Sequence, residues 1–178
     1  MGKMPLPRKL SDREKEEIHK ERPLFMAKKS IEFTENPELY NQPNKKITDF
    51  TPLIYCIWKI FNKSYQEQYW GKQGQWGDNF GETMETFRMD CEAVLDTDDI
   101  IEMTQKQREM ITELLRIVED YSGDKNTPLS RYGENDQAII NDPRWQEIGK
   151  YAKLVYEELS GDDLDAWERS RNGNNYRF

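Results

Sequence analysis

Thr51-Pro52-Leu53-Ile54-Tyr55-Cys56-Ile57-Trp58-Lys59-Ile60-Phe61 is the stretch that decides the fold. A hydroxyl followed by proline at the first helical position opens a helix. Apolar side chains then fall on nearly every side of it, which places it at the centre of a bundle. The pattern predicts a helix over about 52–68. Its apolar run is far shorter than the ~20 residues that a bilayer demands.

Outward from this hub the apolar spacing is helical. Phe80, Met84, Phe87, Cys91 and Val94 step by four and three, the stripe of a helix over 79–95. Thr104-Gln105-Lys106-Gln107 is a capping box. Ile111, Leu114, Val118 and Tyr121 then line a helix over 105–121, with Gly123 expected to end it in the left-handed conformation. Asp124 to Gln137 reads as a long loop. Asp142-Pro143 opens a helix over 143–159 carrying Trp145, Ile148, Ala152, Val155 and Leu159, and Gly161 closes it. A short amphipathic segment follows at Leu164 and Trp167. These signals predict an all-α, single-domain bundle of four main helices, three amphipathic ones around the apolar one.

Residues 1–46 read differently, as a charged, weakly ordered N-terminal arm with short helices ahead of an acidic helical domain over 47–178. Ser11-Asp12-Arg13-Glu14 is a capping box, but Ile18 is the single apolar residue behind it. In the next stretch, Leu24 to Phe33, the spacing turns Leu24, Ala27 and Ile31 to one side.

Composition bounds the function. The 178 residues carry 26 basic and 34 acidic side chains, one His and two Cys, with a mean hydropathy of -1.02. No secretory signal or membrane span is present in this reading, and the few Cys and single His exclude a disulfide scaffold and the usual zinc sites. Together these point to a cytoplasmic protein. The arm holds 11 basic and 8 acidic residues; residues 47–178 hold 15 basic and 26 acidic, a net of -11. A body of that charge repels phosphate backbones, so direct nucleic-acid binding by it is not expected. It suits a basic protein partner, or plain solubility.

Candidate chemistry is sparse. His19 lies in the charged arm with no apolar walls, and Cys56 and Cys91 sit on core stripes where a thiol acts as a small hydrophobe. The glycines at 71, 74, 77 and 81 lack the phosphate-loop string. Tyr65, Tyr69, Trp70 and Trp76 crowd together among glutamines, and such rings serve either as protein-contact anchors or as plugs capping the bundle. With Asp78, Asp98 and Asp99 they form the candidate partner-binding set. Further acids at Asp96, Glu102, Glu157, Glu158, Asp162, Asp163 and Asp165 would extend a negative patch if they converged.

Glu82 with Glu85, and Asp99 with Glu102, are carboxylate pairs each one turn apart. On adjacent helices they could hold Mg²⁺. Their spacing resembles that of the all-α nucleoside triphosphate pyrophosphohydrolases, whose helical pairs read E-x-x-E and then E-x-x-D; here the second pair is D-x-x-E. The resemblance implies Mg²⁺-dependent nucleotide hydrolysis, and exposed helix charge is the other account of the same residues. No complete catalytic set is present and no cofactor is implied outside that resemblance. The expectation is therefore a non-catalytic acidic protein that masks a basic partner, of the immunity or antitoxin kind. A phage or viral structural or host-modulating protein, docking by Lys3, Arg8 and Lys9, is the remaining alternative.

Overall fold

The computed structural model describes residues 6–70, 78–96, 101–129 and 136–171. Regular structure among them is helical, apart from one parallel bridge between Lys46 and Glu102. In chain order the helices are α1 (Asp12–Glu21), α2 (Leu24–Glu35), α3 (Thr51–Phe61), α4 (Lys63–Tyr69), α5 (Phe80–Leu95), α6 (Gln105–Gly123), α7 (Asp136–Ile140), α8 (Pro143–Ser160) and α9 (Leu164–Ser170). Short 3-10 turns at Pro37–Asn41 and Ile47–Asp49 connect α2 to α3. The protein is thus all-α and folds as one domain.

α3 is the hub. Leu53, Ile54, Cys56, Ile57 and Ile60 are all buried, and the helix packs on α8 most extensively, then on α5, α4 and α2. α6 closes the far side by lying against α8 and α5. The three amphipathic stripes read from the sequence all face inward: Phe80 to Val94 on α5, Ile111 to Tyr121 on α6, and Trp145 to Leu159 on α8. Burying a side chain of this size contributes about 1.5–3 kcal/mol, so these stripes supply most of the drive for collapse.

Four local expectations are corrected. The apolar segment is two helices, because Asn62 interrupts it. Asn62 takes an extended conformation, and its side chain accepts the Tyr65 N–H at 3.0 Å. A side chain that caps so readily competes with the helical ladder and restarts it in a new direction. On α2 it is Met26 and Ala27 that are buried, while Leu24 is exposed. The loop expected through Gln137 gives way to α7 at Asp136. Gly123 is the last helical residue of α6 and has no positive φ; the glycine that does is Gly161, at φ 77°. α1 buries nothing, as its single apolar residue implies. No helix among the described residues is long and apolar enough to cross a membrane.

Candidate functional site

The turn at Asn62 folds α4 back beside the last turns of α3, and this gathers the aromatics. Tyr55 and Trp58 stack at 5.6 Å between ring centroids, Tyr65 meets Trp58 edge-on at 5.7 Å, and Tyr69 lies 4.7 Å from Tyr65. Tyr55, Trp58 and Tyr65 are half-buried, and Tyr69 is exposed. Together they make a shelf of rings on one side of the hub.

A charged centre lies within the shelf. Lys59 Nζ sits over the Tyr55 ring at 4.7 Å and the Tyr65 ring at 5.4 Å, and donates to Asp78 Oδ2 at 2.8 Å. The same oxygen accepts from Tyr65 O–H at 3.0 Å and Thr83 Oγ1–H at 2.7 Å. Both side chains of the ion pair are about 15% exposed, so the pair is largely desolvated. Burial by itself would raise the Asp78 pKa. The Lys59 and Thr83 bonds outweigh it, with help from Tyr65, and hold the carboxyl below its ordinary value. Tyr65 is pushed the other way, upward, by burial and by the Asp78 charge.

Asp90 lies on the neighbouring face of α5 in the opposite condition. Its hydrogen bond is to the Cys56 thiol at 3.8 Å, a weak donor, and burial raises its pKa despite that bond and the charge of Lys59. Cys56 in turn is pushed up to about 12, chiefly by burial and then by Asp90. A thiol held so far from ionisation is packing material and not a nucleophile. Cys91 is raised by the same cause.

The structure treats the sequence-derived candidates differently. Tyr65 and Tyr69 join the shelf. Trp70 takes the core-plug role, at 2% exposed and edge-on to Phe80 at 5.6 Å, with its indole N–H unpaired among the described residues. Asp78 is committed to Lys59, so it is an internal counter-charge. Trp76, Asp98 and Asp99 lie outside the described residues. His19 is exposed on α1.

The wider acidic set is largely occupied by local bonding. Glu158 pairs with Lys106 at 3.0 Å and Asp165 with Lys153 at 2.7 Å. Asp163 caps α9, Glu157 accepts the Leu164 N–H, and Asp162 accepts from Phe25 and Tyr156. As for the carboxylate pairs, Glu85 is bound to Arg88 at 2.6 Å and Glu82 is exposed on the first turn of α5. At the opposite end of that helix Arg108, in the first turn of α6, donates to Leu95 O at 3.2 Å, and Glu102, just ahead of α6, is bridged through its backbone to Lys46. A rise of 1.5 Å per residue sets those ends about 20 Å apart. Among the described residues no three metal-ligating side chains form a group.

Sequence reasoning missed Lys59, Thr83, Asp90 and Gln66. Gln66 is buried; its amide donates to Lys59 O and Ile60 O, both at 2.8 Å, and accepts from the Trp145 indole at 3.3 Å. It thereby satisfies carbonyls left open where α3 stops. A glutamine amid other glutamines carries no signal of that duty.

Compared with known proteins, the chain matches no family model, no curated protein and no solved structure.

Proposed function

We propose that the protein is a non-catalytic acidic binding protein that masks a basic protein partner in the cytoplasm, in the manner of an immunity or antitoxin inhibitor. The observation that carries this reading is the shelf of Tyr55, Trp58, Tyr65 and Tyr69, gathered around the Lys59–Asp78 pair. Preorganised rings with two rotatable bonds bury large area at low entropic cost, and their faces attract guanidinium and ammonium groups. The shelf already holds one ammonium, that of Lys59. A body of net charge -11 steers cations toward it. Two free, buried thiols suit a reducing compartment.

The test begins with capture of a basic protein from native lysate by the tagged chain. Stopped-flow association with the purified partner should slow as salt rises, and slow further with Asp98→Lys and Asp99→Lys. Tyr69→Ala should speed dissociation by about tenfold, the loss of one exposed ring contact. An association rate indifferent to ionic strength and to both charge reversals overturns the proposal.

A further inference from the structure

α1 and α2 form a hairpin that is closed on itself. The Arg8 N–H donates to Thr34 O at 3.4 Å, and the Leu10 N–H to Glu35 Oε1 at 3.1 Å. Lys15 pairs with the same Glu35 carboxylate at 3.2 Å, and Arg8 with Glu14 at 2.8 Å. Across the bend, the Arg22 guanidinium reaches the Ser30 hydroxyl. None of these bonds involves the body of the protein.

Two hydrogen bonding groups of the C-terminal corner, among the described residues, reach over to this hairpin. Asp162 receives the Phe25 N–H at 3.0 Å on one oxygen and 3.2 Å on the other, and the Tyr156 O–H at 2.7 Å. The Trp167 indole N–H donates to His19 O at 3.3 Å. The first contact answers a local deficit. α2 has Pro23 at its N-cap, with no side-chain cap bond, so its first-turn N–H groups need an acceptor from elsewhere. Asp162 supplies it from 137 residues away, and places a carboxylate at the positive end of the α2 dipole. Around that bond the contact is apolar, made by Met26, which joins the core, and by half-buried Phe25 packed against it.

We infer that the α1–α2 hairpin is a strap, fastened to the body by Asp162 acting as the N-cap that α2 lacks, and that it opens as a unit while α3, α5, α6 and α8 stay folded. Its internal bonds keep the hairpin together when it leaves. Its fastening, one carboxylate, one indole and a few apolar side chains, is small beside the core formed by the four helices. The weakest-held unit of a domain opens first, below the threshold for global unfolding. Opening frees the side of α3 on which α2 rests.

Hydrogen exchange on the full chain at neutral pH tests this with two variants. In the wild type, amides of α1 and α2 exchange faster than those of α3 and α6. Asp162→Ala raises exchange across both helices of the hairpin, residues 12–35, at least tenfold and leaves α3 and α6 unchanged. Asp162→Asn, whose amide oxygen still accepts from Phe25, stays near wild type. Trp167→Phe, which keeps an aromatic ring and loses the indole N–H, raises exchange across α1 and α2 together, by less than Asp162→Ala; a rise confined to α1 overturns opening as a unit. Equal protection of α2 and α3 in the wild type overturns the strap. So does Asp162→Ala without effect on α2, or a loss of protection that spreads to α3 and α6.

Discussion

Asp78 and Asp90 show how two half-buried carboxylates beside one lysine come to opposite electrostatic states. Asp78 collects Lys59, Tyr65 and Thr83, and these overcome burial. Asp90 receives a thiol at 3.8 Å, and burial prevails. The signs follow by linkage. A lowered carboxyl adds stability above its ordinary pKa and loses it as pH falls through the folded value. A raised one contributes while protonated, and that contribution is lost as pH rises through the folded value. Asp78→Asn takes from the desolvated Lys59 ammonium its hydrogen-bonded counter-charge, and should cost about 3 kcal/mol at pH 7. Asp90→Asn should stabilise at pH 7. Urea unfolding of both variants at pH 7 and in acid checks the pair: the Asp78→Asn deficit and the Asp90→Asn gain both shrink toward low pH. Equal effects of the two substitutions at neutral pH would contradict this assignment.

At the scale of the elements, what stops a helix proved harder to read than what starts one. The capping boxes at Ser11 and Thr104 form as their sequences imply, since both partners lie within one turn. Gly123 and Gly161 look alike in sequence, each at the end of an apolar stripe. After Gly123, Asp124 takes an extended conformation and its side chain accepts the Asn126 N–H at 2.8 Å. That Asx turn stops α6, so no left-handed residue is needed there. Gly161 does take the left-handed conformation, with its N–H on Glu157 O. An added Cβ meets nothing within 4 Å at either position. Gly161→Ala should therefore cost about 1 kcal/mol through backbone strain alone. Gly123→Ala, inside a helix, should gain up to about that much. Thermal denaturation should move the two variants in opposite directions, and a shared direction would refute the assignment of the two ends.

For the whole molecule, much of the acidic charge among the described residues is tied into local bonds, and no three metal-ligating side chains there form a group. Glu82 and Glu85 at one end of α5 are kept from Glu102 by the helix between them, and Glu85 is held by Arg88. Millimolar Mg²⁺ should accordingly leave the melting temperature unchanged, with no turnover of nucleoside triphosphates. A metal-dependent upward shift, abolished by Glu85→Gln, would restore the hydrolase reading.

The helices and their buried faces were legible because the four-three spacing of Phe80, Met84 and Phe87, or of Trp145, Ile148 and Ala152, is a local record of one face. The hub was legible because Leu53 to Phe61 breaks its apolar run with a single charged residue, Lys59. Tertiary structure alone decided the meetings between distant segments: Lys59 with Asp78 across the α4 turn, Gln66 with Trp145, and Asp162 with Phe25 from the two ends of the chain. The physical reason is range. Hydrophobic periodicity follows from the geometry of a single helix, whereas a polar pair gains its strength only after packing has removed water from both partners. Which carboxylate receives the lysine is therefore settled by how the helices cross, and no spacing of residues along the chain encodes it.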